Sequence, residues 1–337
     1  MSTNPWQRPD DCPDRSGVSV IVCCYNSVAR IRETLQALAA QTFKSPLAWE
    51  IVLVDNASTD NTAGIAESLW GSFSVRAPLR VIQEPEPGLI HARQTGIKQA
   101  AYSIMLFCDD DNRLSPGYVE GVFRILTFNE DIAACGGMGI PAFGTTKPVW
   151  FDEYQEAYAV GSQAINAEGG RILNLYGAGL AVKREALEKL AASGFESTLK
   201  GRTGGSLSSA EDTELTYALV LLGYRLHFAS ELTFLHFLPR RRLTFEYVQQ
   251  LFVAFGKDGP VRNLYYSYIS TRRSHQTIRN WYAHLALCLF RVVKYFLIPP
   301  KKNGRWIYFR WNIAYIQQLF VLWGRWPALK ANIEKIR

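Results

Sequence analysis

Asp109, Asp110 and Asp111 stand in a row directly after the apolar run Ile104 to Phe107. Three carboxylates this close repel one another unless a cation is set among them. Hard oxygen ligands of this kind suit Mg²⁺ or Mn²⁺, ions that usually share their coordination with substrate phosphates. Alone, such a run would serve equally well as a solvated acidic turn. A second acidic pair, Glu211-Asp212, opens a helical pattern that Ser208 or Ser209 could cap. In that position a carboxylate is either a dipole partner or, aimed at a reaction centre, a general base. His236 closes the apolar run LTFLHFL just before Arg240-Arg241-Arg242. It can be a strand-end residue or can reach a metal or diphosphate. Arg93 follows Gly88 at an expected helix start, an arrangement able to receive a diphosphate through backbone N–H groups and charge.

These groups need elements that bring them together. VSVIVCC (18–24) reads as a buried strand ending at Tyr25-Asn26, EIVLVD (50–55) as a second ending at Asp55, and LRVIQE (79–84) as a third. A fourth ends in the aspartates. Helical spacing fills the intervals from about Ser27 to Gln41, up to about Trp70, and from Leu89 to Ala101. Such alternation predicts an α/β fold with a mostly parallel sheet, helices on both faces and ligands at the carboxyl ends of the strands. Tyr25, Asn26, Asp55 and Asp109 to Asp111 all fall at those ends. No GxGxxG follows the first strand and no GxxxxGK[ST] occurs, so dinucleotide-binding and P-loop readings lose their main support.

At 337 residues the chain has material for one large domain or two small ones. Residues 1–16 are polar, Pro- and Asp-rich and without an apolar segment; they are expected to be a disordered tail rather than a signal peptide. The six cysteines show no CxxC spacing and read as buried thiols. The net charge of +7 conceals a split. Residues 239–337 hold 18 Lys and Arg against 3 Asp and Glu, a balance of +15, while the rest holds 19 against 27, a balance of −8. An acidic α/β body therefore carries a basic, aromatic C-terminal part, and the two are expected to meet different partners.

Taken in order, VSVIVCCYN, EIVLVDNASTDNT, EPEPGLIHARQTGI, FCDDDNRLSPGY, YGAGLAVKREAL and SSAEDTEL resemble the inverting family-2 glycosyltransferases with the GT-A fold, over about residues 17–238. FCDDDNRLSPGY corresponds to their DXD motif, and HFLPRRRLTF is similar to bacterial polysaccharide-assembly (O-antigen-type) members. The resemblance implies a metal-dependent transfer of a sugar from a nucleoside diphosphate sugar of UDP, GDP or dTDP type. The acceptor would be a hydroxyl on a glycan or lipid-linked glycan. By similarity Tyr25, Asn26 and Asp55 would hold the base and Arg93 would lie near the diphosphate. Asp109 and Asp111 would face ribose and metal, with Asp110 an extra acid, so which carboxylate does which job stays open. His236 would complete the Mg²⁺ or Mn²⁺ site, Asp212 would be the base, and Glu211 would position it. A nucleotide-sugar half (about 17–115) and an acceptor half (about 116–238) are expected, with donor choice set by loops such as 141–176. The glycines from Gly201 to Ser209 would form either a loop that orders over donor or a plain linker.

Two rival classes use similar parts. A nucleotidyltransferase would normally carry a Gly/Arg/Lys-rich loop after the first strand, where this chain has Cys24-Tyr25-Asn26-Ser27. A non-catalytic glycan- or lipid-binding module would have little need of both acidic clusters. In the C-terminal part, Asn280, His284, Arg291 and Lys294 recur with helical spacing, while Trp281, Leu285, Leu289, Phe290, Val293, Phe296 and Leu297 fill the remaining face. The apolar stretch from Trp311 to Gly324 is too short for the ~20 residues of a membrane span. The expectation is a cytoplasmic protein docked peripherally on the anionic inner face of a membrane. The alternative is a helical hairpin packed on the body or on a second subunit. Nucleic acid is not expected, because the apolar faces are broader than a phosphate-tracking surface needs.

Overall fold

The structure is a computed structural model that describes residues 15–199, 201–202, 207, 210–270, 279–297 and 304–337. The first half alternates as its apolar pattern predicts: β1 (Arg15–Cys24), α1 (Ile31–Ala39), β2 (Trp49–Asn56), α2 (Thr62–Ser72), β3 (Leu79–Glu84), α3 (Leu89–Gln99) and β4 (Tyr102–Asp109). β5 (Asn112–Leu114), α4 (Tyr118–Thr127), β6 (Ile132–Phe143) and α5 (Phe151–Tyr154) follow. Next come three short strands, β7 (Ala167–Glu168), β8 (Arg171–Ile172) and β9 (Ala181–Lys183), then α6 (Arg184–Ala192), α7 (Glu211–Leu221) and the long β10 (Arg225–Leu238). The chain ends in α8 (Phe245–Ile269), α9 (Trp281–Leu297), α10 (Gly304–Leu322) and α11 (Trp326–Ile336).

The ten strands form one sheet in the order β3-β2-β1-β4-β9-β6-β10-β8-β7, with β5 paired on β10. β1 runs parallel to both β2 and β4, and the order reverses there, so a crevice opens at its carboxyl end. Register places Cys24 beside Asp55 and Cys23 beside Asp109. The expected alignment of Tyr25-Asn26, Asp55 and the aspartates on one edge is therefore present. β9 is antiparallel to both β4 and β6, which makes the sheet mixed though mostly parallel.

Helices cover both faces, which is why the central strands are apolar without alternation. On one side α1, α2 and α4 bury Leu35, Trp70 and Val122 against Val20 and Leu53. On the other, α3, α6 and α7 bury Ile97, Leu187 and Leu219 against Ile21 and Met105. That second core also takes Leu264 from α8, Tyr315 from α10 and Ile333 from α11. The charge boundary near Pro239 thus does not separate two cores: the C-terminal helices share one with the α/β body. Gly256 and Gly259 let α10 approach α8, since a Cβ at Gly256 would stand 2.4 Å from the Trp311 carbonyl oxygen.

Some expectations change. β1 begins at Arg15 rather than after a tail to residue 16, and residues 1–14 lie outside the described residues. The helix expected from Ser27 to Gln41 is only Ile31–Ala39, because Ser27 and Asn26 are used in loop contacts. His284, expected on the outer polar face of α9, is buried and shares a 2.8 Å hydrogen bond between its Nδ1 and the Tyr315 hydroxyl. Trp281 also faces inward, its Nε1 donating to the Leu319 carbonyl at 2.8 Å. The five described cysteines are free thiols. No helix among the described residues is long and apolar enough to cross a membrane.

Candidate active site

The turn after β4 sorts the three aspartates into different environments. Asp110 turns inward: its Oδ2 accepts from Arg30 at 2.5 Å and from the Ser27 hydroxyl, and its backbone oxygen accepts from Thr34 at 2.9 Å. Burial and the adjacent Asp111 charge push its carboxyl upward. In this structure Asp110 is a strut between the DDD turn and the start of α1, and its neighbours flank it. Asp109 ends β4 with its Oδ2 accepting from Asn112 at 3.4 Å.

Asp111 sits where β5 folds back on β10. The register sets Asn112 opposite His236, and Phe237 N donates to the Asp111 carbonyl at 2.9 Å. This pairing brings His236 Nε2 to 3.5 Å from Asp111 Oδ1, across 125 residues of chain. Arg242, in the single turn Arg240–Arg242, donates from Nη1 to Asp111 Oδ2 at 2.9 Å. Burial opposes the Asp111 charge, but His236 and Arg242 outweigh it and hold the carboxyl well below its usual range. His236 Nδ1 is buried without a hydrogen-bond partner.

One carboxylate and one imidazole that converge in this way fit a divalent ion that takes the rest of its shell from phosphates and water. Arg242 already places a cation against them. Among the described residues no three His, Cys, Asp or Glu side chains converge at ligand spacing, so Asp109 is not drawn into the same cluster.

At the end of β2, Asp55 is buried. Its Oδ2 accepts from Gln83 at 3.3 Å, and its Oδ1 has no partner. A buried carboxylate oxygen left open in this way suits a ligand N–H donor. Tyr25 is half exposed at the crevice rim. Asn26 adopts a left-handed φ of 50° and accepts from Thr59 N at 2.8 Å, so it ties the two loops at this edge together.

The second acidic pair lies at the start of α7. The expected serine caps, Ser208 and Ser209, lie outside the described residues. Ala210, at the cap position, gives no side-chain hydrogen bond. Asp212 Oδ2 accepts from Gly177 N at 2.5 Å and Oδ1 from Thr213 N at 2.6 Å. Glu211 is buried and its Oε1 accepts from Arg93 Nη1 at 3.0 Å. Burial pushes Glu211 up to about 7 despite the opposing Arg93 charge. Arg93 itself is buried and stacks over Phe107 with its guanidinium carbon 5.2 Å from the ring centre. The structure therefore spends Arg93 on Glu211. Of the glycine-rich stretch, Gly201 and Arg202 lie against Glu211 and α3: a Cβ at Gly201 would come within 2.8 Å of Glu211 Cδ, and Leu89 N donates to the Arg202 carbonyl. Residues 203–206 lie outside the described residues.

Three contributors were not assigned from sequence. Arg242 was visible only as part of a basic run. Gly177 lay in YGAGLAVKREAL without a role; a Cβ there would meet Arg93 Nη2 at 2.5 Å and Asp212 Oδ2 at 3.0 Å. Asn56 anchors the β3–α3 loop, donating to the Glu86 carbonyl at 2.6 Å and accepting from Gly88 N at 2.8 Å.

A mixed sheet with a crevice at the β1 switch point, acidic groups at its strand ends and a carboxylate pair on the facing helix defines the GT-A glycosyltransferase class. Residues 19–191 match the family Glycosyl transferase family 2, and the chain belongs to that family. It is 35% identical over 94 residues to Glycosyltransferase AglE of Haloferax volcanii, covering 28% of this chain and 30% of that protein. It is also 35% identical over 97 residues to Poly(ribitol-phosphate) beta-N-acetylglucosaminyltransferase TarS of Staphylococcus aureus, covering 29% of this chain and 16% of TarS. These matches span at most about a third of the relatives' own lengths. The fold as a whole is that of the crystal structure of S. aureus TarS 1–349, with a TM-score of 0.50 at 17% identity, covering 95% of this chain and 89% of that one.

Proposed function

We propose that this protein transfers a sugar from a nucleoside diphosphate sugar to a hydroxyl acceptor with inversion at the anomeric carbon. The observation that carries the reading is a phosphate-ready cation site (Asp111, His236, Arg242) together with a backbone-held carboxylate, Asp212, whose charge acts with that of Asp109 on the same Arg93. TarS, whose fold is shared, is solved in complex with UDP-GlcNAc, and a donor of that class suits the open Asp55 Oδ1.

Asp55 would take a base N–H, with Tyr25 at the rim beside the ring. Asp111 and His236 would hold Mg²⁺ or Mn²⁺, which when bound supplies positive charge to the leaving diphosphate. Arg242 adds a fixed positive charge at the same place. Asp212 would accept the acceptor's proton; two backbone donors and the Thr213 hydroxyl fix the carboxylate plane, and Oδ2, which accepts from Gly177 N, keeps a lone-pair direction for the incoming hydroxyl. Glu211 and Arg93 lock one another beneath it and so set its orientation. One general base, with the adjacent Glu211 carboxylate engaged by Arg93, matches a single in-line displacement.

On the acceptor side, a cleft of about 400 Å³ lies between α8 and α10, lined by Phe245, Gln249, Trp306, Phe309 and Arg310. One of its lining residues, Phe245, follows Arg242 by three positions in the chain, and aromatic walls with one arginine suit a glycan carried on a lipid phosphate. Calorimetric titration of UDP, GDP, dTDP and CDP with and without Mn²⁺ tests the donor side. One diphosphate should bind more tightly with Mn²⁺, and Asp55→Ala should weaken it by about 10- to 100-fold. No binding of any of the four would contradict the reading.

A further inference from the structure

Eleven of the eighteen exposed large apolar side chains among the described residues lie between Tyr282 and Trp323. They are not scattered. On α9, Tyr282, Leu289, Phe290, Val293, Phe296 and Leu297 follow helical spacing along one outer stripe, with Phe290 66% and Leu297 71% exposed. Trp281, His284 and Cys288 occupy the opposite side, which packs inward. α10 runs antiparallel beside α9, as the Trp281–Trp323 and Tyr295–Tyr308 ring contacts at 5.0 and 5.9 Å show. Exposed aromatics therefore stand at both ends of the hairpin: Phe320 and Trp323 at one, Trp306 and Tyr308 at the other.

We infer that this outer face of α9 and α10 docks on the surface of an anionic lipid bilayer. An exposed apolar patch so concentrated marks an interaction surface, and its charge says which kind. Residues 281–337 contain ten Lys and Arg against a single acidic residue, Glu334. α9 carries Arg291 and Lys294 and no acid, with Lys294 exposed on the flank of the stripe. A second copy is the poorer occupant, because a twofold contact places the same patch on both sides and would face like charges across it. An apolar stripe of aromatic and aliphatic side chains along one helix face, with basic groups on its flank, matches a helix that lies in a lipid interface. α9 would lie in that interface rather than cross it, and the cleft bordered by Trp306 would face the lipid.

This docking goes beyond sugar transfer and does not depend on it. Flotation of the full chain with mixed phosphatidylcholine–phosphatidylglycerol vesicles tests it, with pure phosphatidylcholine as the comparison. The chain should float with the mixed vesicles and much less with the neutral ones. Phe290→Ser combined with Leu297→Ser should lose at least about tenfold in partitioning, and Lys294→Gln about fivefold. Both side chains are exposed, so the double variant should keep the parent's circular dichroism and its nucleotide binding, which reads the donor site separately. Absence of flotation with mixed vesicles, or equal flotation of the double variant, would overturn the inference. So would lipid-free self-association of the parent that the double variant abolishes, which would make the face an interface between copies.

Discussion

Arg242 Nη1 lies 2.9 Å from Asp111 Oδ2, while His236 Nε2 stands 3.5 Å from the other oxygen of the same carboxylate. The loop after the last strand thus supplies the cation that the DDD turn needs in order to remain ionised. This relationship changes what neutralising an aspartate should do. Considered as three like charges, the trio should relax when any one is removed. Asp111, however, is paired, and its loss leaves Arg242 with less than it needs.

Asp111→Asn should therefore destabilise the fold by about 3 kcal/mol, the low end for breaking a buried pair. Asp110→Asn should cost less, because burial and the Asp111 charge already push that carboxyl upward. Thermal denaturation of both variants checks the order. A more stable Asp111→Asn would contradict the pairing.

Arg242→Gln should bind Mn²⁺ more tightly in the absence of donor, because the guanidinium opposes a second cation at Asp111. Electron paramagnetic resonance of free Mn²⁺ reads this without turnover. Weaker Mn²⁺ binding by the variant would show that Arg242 and the ion do not compete for Asp111.

Glu211 gives a stability profile with a definite sign. Its ordinary value is 4.5 and burial raises it to about 7. Between those values the folded protein keeps a proton that the unfolded chain has released, so this group's contribution is full below about 4.5 and is lost as pH rises through 7. Melting temperatures measured across that window should fall with pH in the parent more steeply than in Glu211→Gln. Parallel profiles would remove Glu211 as the source.

Gly177→Ala should harm transfer more than stability. The added Cβ would press on Arg93 Nη2 and Asp212 Oδ2 at 2.5 and 3.0 Å. Overpacking costs about 1–3 kcal/mol, whereas a displaced base costs roughly 10²-fold in rate. Parent-like turnover would mean that Asp212 does not need its present orientation.

The parallel half of the sheet was legible because Val20 to Val22 and Ile51 to Val54 are buried on both faces and so form unbroken apolar runs. Residues 131–183 were not, because β7 and β8 are two residues each and carry no period. Asp109, Asp111, His236, Glu211 and Asp212 could be singled out by type and position. Their pairings could not: Arg93 meets Glu211 across 118 residues and Arg242 meets Asp111 across 131, separations that only the sheet order converts into contact. On α9 the polar spacing of Asn280 and His284 suggested an outer face, but an imidazole with a buried hydroxyl partner can sit inside.

The most direct test of the central claim is to incubate the full chain with UDP-, GDP- and dTDP-sugars and Mn²⁺ and to follow phosphorus by NMR. The account predicts release of nucleoside diphosphate from one donor. Asp212→Asn should slow that release by about 10²–10⁴ while leaving donor affinity unchanged. Pyrophosphate as the product, or release at the parent rate by Asp212→Asn, would contradict it.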